Sequence, residues 1–389
     1  MSNWEMVKLG TVCKFINGDR GKNYPSGKDI VDNGIPFINA GHLENNTISF
    51  DNMNYIKDGK YHQLGSGKIQ NGDFLYCLRG SLGKHAIVDN MEYGAVASSL
   101  VILRPQNINV NYLSYCMDSP SILEQLRKAN NGSSQPNLSA TNVKQYEIPF
   151  PPLETQRQIA KTLDTTSELL QMRKKQLAEL DKLIQSVFYD MFGDPITNEK
   201  GWEVKPLQEL TTKLGDGLHG TPNYNLGGKY YFINGNNLEE GKIVITESTK
   251  RVDETEFNKY QKPLNQNTML VSINGTLGKV AFYNNENIIL GKSACYFNVK
   301  FDQIEKKYLY YILKSDYFIQ YAIDNSTGST IKNVSLKSMR ELPVLYPPLS
   351  IQQKFAEIVI KIEEQKALVE KAIDETQHLF DSLMQEYFE

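Results

Sequence analysis

The chain has 389 residues, too many for one ordinary core and enough for two domains plus connecting elements. Apolar residues make up 40% and charged residues 22%, a globular composition with no run near the roughly 18 apolar residues of a membrane span. The net charge of −3 excludes a uniformly basic chain, and its distribution is uneven: 14 basic against 13 acidic residues in 1–150, 7 against 8 in 151–201, 17 against 15 in 202–346 and 4 against 9 in 347–389. The acid thus lies in the last segment, and the two large segments are close to neutral, which leaves DNA binding open without advertising it.

Residues 1–150 consist of short β-branched or aromatic runs broken by Gly, Asn and Asp-Gly turns, as in Ile35-Pro36-Phe37-Ile38-Asn39 and Phe74-Leu75-Tyr76-Cys77-Leu78. They predict strands, with one helix over about 112–130, where Leu113, Cys116, Met117, Ile122 and Leu126 recur at helical spacing. After Pro151-Pro152 the glycines disappear. Ile159, Leu163, Thr166, Leu170, Arg173, Leu177, Leu180, Ile184, Val187 and Met191 then alternate four and three apart, the a/d seam of a coiled coil over 151–193. The Pro pair suits helix entry, since Pro needs no amide donor in the first turn, and Gly193-Asp194-Pro195 suits the exit into a linker at 194–201. Residues 202–346 repeat the strand-rich grain, with a helix expected over about 306–324 from Tyr308, Ile312, Leu313, Ile319 and Ala322. Residues 347–389 repeat the helix, with the seam Phe355, Val359, Ile362, Lys366, Val369, Ile373, Thr376, Phe380, Leu383 and Tyr387.

The two halves are copies. Trp4-Glu5 recurs as Trp202-Glu203, Phe37-Ile38-Asn39 as Phe232-Ile233-Asn234, Gly80-Ser81-Leu82-Gly83-Lys84 as Gly275-Thr276-Leu277-Gly278-Lys279, and Pro151-Pro152-Leu153 as Pro347-Pro348-Leu349. Order is kept over the whole chain, so a duplicated module explains the words better than chance. If the first helix carries the chain out to the second domain, the second helix points back. The expected fold is α+β: two strand-rich domains separated by two long antiparallel coiled-coil helices, a pseudo-twofold dumbbell. About forty helical residues at about 1.5 Å each span roughly 60 Å, comparable to about 18 base pairs.

The sequence carries few signs of catalysis. Gly80-x-x-Gly83-Lys84 and its twin lack the spacing and trailing Ser/Thr of a phosphate loop; Gly291-Lys292-Ser293 has the tail, but Glu286 occupies the required first glycine. The five histidines form no metal-binding pattern, and the four cysteines form no Cys-x-x-Cys pair and read as reduced, buried thiols of a cytoplasmic protein. Phe150-Pro151-Pro152-Leu153 lacks the amide or carboxylate before the prolines that an Asn-Pro-Pro-Tyr loop uses to hold adenine. Met1-Ser2-Asn3-Trp4-Glu5 has neither the basic start nor the apolar core of a secretory signal.

What remains is a duplicated set of polar loops whose Asn, Gln, Ser, Arg and Lys are the types that read base edges and clamp phosphates. In the first copy the candidate DNA-binding residues are Arg20, Lys22, Asn23, Tyr24, Asn39, His42, Arg79, Ser81, Lys84, Asn131, Ser133, Ser134 and Gln135. In the second they are His219, Thr221, Asn234, Asn236, Asn274, Thr276, Lys279, Thr327, Ser329, Thr330 and Lys332. The frame repeats while these residues differ, as two readers of different half-sites would.

Trp-Glu, Gly-Ser/Thr-Leu-Gly-Lys, Pro-Pro-Leu-x-x-Gln at the head of each helix, and Phe192-Gly193-Asp194-Pro195 before Gly201-Trp202 give the chain its likeness to a family. Over essentially its whole length it resembles the specificity subunit of type I restriction-modification systems. The resemblance implies two target recognition domains, each reading half of a bipartite site in double-stranded DNA, with the helices as spacer. Leu163, Leu170, Leu177, Leu180, Ile184, Val187, Phe355, Val359, Ile362, Val369, Ile373, Phe380 and Leu383 would form the spacer and the interface for two methyltransferase subunits, to which restriction subunits could add. It also implies no active site and no cofactor on this chain, with S-adenosylmethionine, ATP and Mg on partner subunits. The alternatives are the recognition part of another split methyltransferase-endonuclease, and a coiled-coil scaffold that binds no DNA.

Overall fold

The computed structural model describes residues 4–129, 137–327 and 332–389. The fold is α+β. It divides into two compact units, one made of Met1–Lys174 with Lys371–Glu389 and the other of Lys175–Glu370.

In the first unit, Cys13–Asn17, Leu100–Pro105, Phe74–Cys77 and His85–Ile87 form an antiparallel sheet in that spatial order. Alternation along its strands divides the core. Phe74, Tyr76, Val101 and Leu103 face the helices, while Leu75, Cys77, Leu100 and Ile102 face a second layer built on Ile35–Ile38. Both faces are therefore covered, which explains why Phe74–Cys77 is apolar throughout rather than alternating with polar residues. The second unit repeats the arrangement with Thr211–Asp216, Ala294–Val299, Thr268–Ser272 and Val280–Phe282. Here Met269, Val271, Cys295 and Phe297 face the helices, while Leu270, Ala294 and Tyr296 face the other layer.

The single helix expected over 112–130 is two, Val110–Asp118 and Pro120–Ala129, broken at the extended Ser119. Pro120 accounts for the break, since it cannot donate back into the preceding turn but suits the first position of the next helix. Its counterpart over 306–324 is likewise Lys306–Lys314 and Asp316–Asp324, separated at Ser315, which is extended with no proline to force it.

The long helices run from Leu153 to Phe192 and from Leu349 to Phe388. Each contributes to both units. Ile159 and Leu163 share the first unit's core with Met384 and Phe388, and the Arg173 guanidinium donates to the Ala372 carbonyl and the Thr376 hydroxyl, so these segments run antiparallel. In the second unit Lys366 pairs with Asp181, and Phe188 and Phe192 pack on Phe355 with ring centroids 5.6 and 5.3 Å apart. The strict four-three seam fails at its far ends. Phe188 and Phe192, rather than Val187 and Met191, are buried at the end of the first helix, and Met384 and Phe388, rather than Leu383 and Tyr387, at the end of the second. There the helix stops facing only its partner helix and inserts aromatic rings into a domain core, as Phe192 does against Tyr308 at 4.5 Å.

The Gln of Pro-Pro-Leu-x-x-Gln has the same task twice. Gln156 and Gln352 are fully buried. The Gln156 amide donates to the Pro151 carbonyl at 2.8 Å and accepts from the Asn109 amide at 2.9 Å; Gln352 bonds Pro347 at 2.7 Å and Glu305 at 2.9 Å. Asn109 and Glu305 are themselves N-caps of the helices that follow them, so one side chain joins the head of each long helix to the head of a domain helix. The linker is also tied down: Asn198 stands at φ 46°, its side chain bonds both Trp202 backbone groups, and the Trp202 indole donates to the Phe192 carbonyl at 2.9 Å.

Candidate nucleic-acid interface

The Gly-Ser/Thr-Leu-Gly-Lys word is a turn between two strands. Gly80 and Gly83 stand at φ +82° and +85°, and Gly275 and Gly278 at +77° and +76°, a region that suits glycine. The turn closes through the Cys77 amide to the Lys84 carbonyl and the Ser272 amide to the Lys279 carbonyl, both 2.8 Å. Arg79, Ser81, Lys84 and Thr276 are exposed on it, and Asn274 and Lys279 are half-buried. Arg79 bridges to Asn137, while Asn274 bridges to Asn333 and donates to its side chain at 3.1 Å. The Gly275 amide bonds the Lys332 carbonyl at 3.0 Å, and Thr327 pairs with Asn333. The structure therefore brings Asn137 in the first unit, and Lys332 and Asn333 in the second, against the glycine turn. Asn131, Ser133, Ser134, Gln135, Ser329 and Thr330 lie outside the described residues.

Phe-Ile-Asn is a strand end followed by a single tight turn. Asn39 caps it by accepting from the Gly41 amide at 2.8 Å, and the Asn39 amide donates to His42 Nδ1 at 3.1 Å. His42 is 5% exposed, with Nε2 3.3 Å from the Asn52 carbonyl, so it holds the turn and is not placed to meet DNA. Asn237 does the same work in the second unit, accepting from the Asn234 amide at 3.0 Å and donating to the Val244 carbonyl at 3.1 Å. Each side chain can accept at one atom and donate at another, which is what the turn requires. Asn234 is half-buried and Asn236 exposed.

Between these turns runs a crossover that no repeated word marks, residues 97–99 in the first unit and 291–293 in the second. The Ala97 amide bonds the Ile38 carbonyl and the Ser99 carbonyl accepts from Leu78, both at 2.8 Å. Gly291 bonds Ile233 at 2.8 Å and Ser293 accepts from Ile273 at 3.0 Å. Ser293 additionally donates to Asn234 at 3.1 Å and accepts from the Gly235 amide at 2.9 Å. Its two versions, Ala-Ser-Ser and Gly-Lys-Ser, share only the last residue, so word matching could not align them; Gly291-Lys292-Ser293 drew notice only as an incomplete phosphate loop.

The remaining loops flank this frame. Arg20 and Lys22 are exposed and Asn23 half-buried; Tyr24 packs edge-on to Phe37 at 5.7 Å, as Tyr224 packs on Phe232 at 5.9 Å. His219 is exposed and sits 2.6 Å from Asp216, Thr221 is exposed, and buried Glu256 accepts from the Asn223 amide at 2.9 Å.

The cations of these loops are unlike those near the helices. Lys307, Lys314 and Lys366 pair with Glu363, Glu240 and Asp181. Among the described residues, the side chains of Arg20, Lys22, Arg79 and Lys84, and of Lys279, Lys292 and Lys332, have no ion pair or hydrogen bond. Near-neutral domains can thus still present local positive charge. Among the described residues no group of three or more His, Cys, Asp or Glu could hold a metal, and no helix is long and apolar enough to cross a membrane. All four cysteines are buried, and burial pushes the Cys13 thiol up to about 12.

A frame that occurs twice, carries two different sets of polar side chains and takes part of both long helices into each core defines a protein built from two copies of one module. Residues 1–182 and 199–377 each match the type I restriction modification DNA specificity domain, and the chain belongs to that family, the specificity subunits of type I restriction-modification systems. It is 26% identical to the MjaIX specificity subunit of Methanocaldococcus jannaschii, over 98% of this chain and 92% of that one. To the StySPI specificity subunit of Salmonella potsdam it is 24% identical, over 98% and 87%. The fold matches the S subunit of M. genitalium with a TM-score of 0.58 at 16% identity, covering 100% of this chain and 96% of that one. Specificity subunits are the non-catalytic DNA recognition components of systems that also contain methylase and restriction subunits, and the chain is one of these components rather than an enzyme.

Proposed function

We propose that each unit reads one half of a bipartite site in double-stranded DNA and that the chain directs two adenine methyltransferase subunits, with restriction subunits where they exist, to that site. The observation that carries this reading is the pair of loop clusters: one backbone frame twice, with cations that have no partner among the described residues both times and different exposed side chains. Arg20, Lys22, Arg79, Ser81 and Lys84 belong to one reader; His219, Thr221, Asn236, Thr276, Lys279 and Lys332 belong to the other.

The helices support docking of the same partner twice. Met172 is 65% exposed and Leu368 69%, and Leu183 is 46% exposed and Leu379 52%. Both pairs obey the 196-residue offset that relates Pro151 to Pro347. Apolar side chains left open at duplicated positions fit two copies of one partner surface. S-adenosylmethionine, ATP and Mg belong to the partner subunits, and the complex works in the cytoplasm.

The test is to map methylated adenines in cells carrying and lacking this chain, together with its methyltransferase subunit. The expected result is one motif of two half-sites and a fixed gap. Removing a heptad from the first long helix, within 153–192, is expected to alter the gap; an unchanged gap would defeat the spacer role. Methylation independent of this chain would defeat the reading as a whole.

A further inference from the structure

We propose that Lys292 is a DNA backbone contact of the second unit, an ammonium held where its polar loops meet and matched to a phosphate of the half-site that this unit reads. This deepens the DNA recognition proposed above and rests on it.

Three consecutive residues anchor the crossover to three different loops. Gly291 bonds Ile233 at the Phe-Ile-Asn turn, Lys292 donates its amide to the Leu218 carbonyl at 3.0 Å beside His219, and Ser293 joins Ile273 of the glycine turn as well as Asn234 and Gly235. The Leu218 amide returns a bond to the Leu290 carbonyl at 2.7 Å, so the backbone on either side of Lys292 is clamped. A Cβ on Gly217 would lie 2.0 Å from the Leu290 carbonyl oxygen, so the two backbones are in close contact just before Lys292. Only the Lys292 side chain is left over: it is exposed and, among the described residues, without a partner.

A lysine is a compact point charge without the fixed fork that reads a guanine edge, so a phosphate is the matching ligand. The first unit has a crossover with the outer two of these anchors, at Ala97 and Ser99, and Ser98 at the position that corresponds to Lys292. The frame is shared and the charge is not, so the second half-site carries an electrostatic contact at this point that the first lacks.

The experiment uses the full chain in complex with its methyltransferase subunit and a duplex bearing the mapped site. Binding is measured as a function of salt for the wild type, K292Q and K292R. K292Q is expected to bind several-fold more weakly, with the slope of log affinity against log salt smaller by about 1, equal losses on all sequences, and recovery in K292R. An unchanged slope overturns the contact. An unchanged slope with relaxed discrimination at one base pair shows a base contact and overturns the phosphate assignment. Neutralising single phosphates as methylphosphonates gives a reading on wild-type protein: one phosphate in the second half-site is expected to reproduce the loss and to be silent in K292Q. If the wild-type complex does not prefer its site over unrelated duplex, the recognition reading itself fails, a result separate from any effect of the substitution.

Discussion

Replacing Gln156 with Ala removes a side chain that satisfies two backbone groups at once, the Asn109 amide and the Pro151 carbonyl, in a site with no exposure. A buried backbone group left without a partner costs about 1–3 kcal/mol, and the deleted amide leaves a void besides, so Q156A is expected to destabilise the first unit by about 3 kcal/mol. For a unit of this size that corresponds to a fall in melting temperature on the order of 10 °C. Urea denaturation gives the magnitude. Amide exchange gives the place, because protection is expected to drop at Asn109 and over Val110–Asp118, while Lys306–Lys314 keeps its own clamp through Gln352. Q156E sharpens the test. Its carboxylate still accepts from Asn109, but it donates to Pro151 only when protonated, which raises the folded-state pKa of the introduced acid above its unfolded value. The stability it restores is present in acid and lost as pH rises through that raised pKa, so Q156E is expected to lie near wild type at about pH 4 and furthest below it at neutral pH. A loss under about 1 kcal/mol in Q156A, or a pH-independent defect in Q156E, would refute this account of the motif.

Among the glycine turns, G278A is expected to cost more stability than G275A. Both residues are left-handed, but a Cβ at 278 would lie 2.2 Å from Ile319 Cδ1 while 275 opens to free space; equal melting temperatures would contradict this. M172D and L368D are expected to leave melting unchanged and each to remove one methyltransferase subunit from the complex, read as a stoichiometry of one by light scattering; full assembly in either variant would show that these side chains are not the docking surface. The Cys13 thiol is expected to lower stability as pH rises from about 9 towards about 12, because unfolding then releases a proton that the folded chain retains. C13A is expected to flatten that part of the pH profile, and an unchanged slope would place the effect elsewhere.

Duplication, the α+β class and both long helices were legible from repeated words and spacing. Some of those words turn out to be backbone devices: Gly83 and Gly278 supply a left-handed turn, and Gln156 and Gln352 supply a clamp. Hidden features were those whose cause is not local. Ser315 ends a helix that periodicity would continue, and Phe192 and Phe388 leave the seam because each meets a domain core. His42 looked like a reader because it ends a duplicated polar loop; its contact with the Asn52 carbonyl, ten residues away, is not visible in that local pattern. Lys292 escaped because its strand pairing, not its sequence, equates it with Ser98.

The two units also differ in how they are drawn from the chain. The second is continuous, Lys175–Glu370, whereas the first needs Lys371–Glu389, and Met384 and Phe388 close its core against Tyr112, Ile159 and Leu163. On the ribosome, the half that is made second has all its residues first. The half that is made first stays unfinished, with the apolar face of its helices open, through the synthesis of some two hundred further residues. A nascent chain of this kind completes its first domain only after its second, and a stop codon shortly after residue 370 would damage the domain that was begun first.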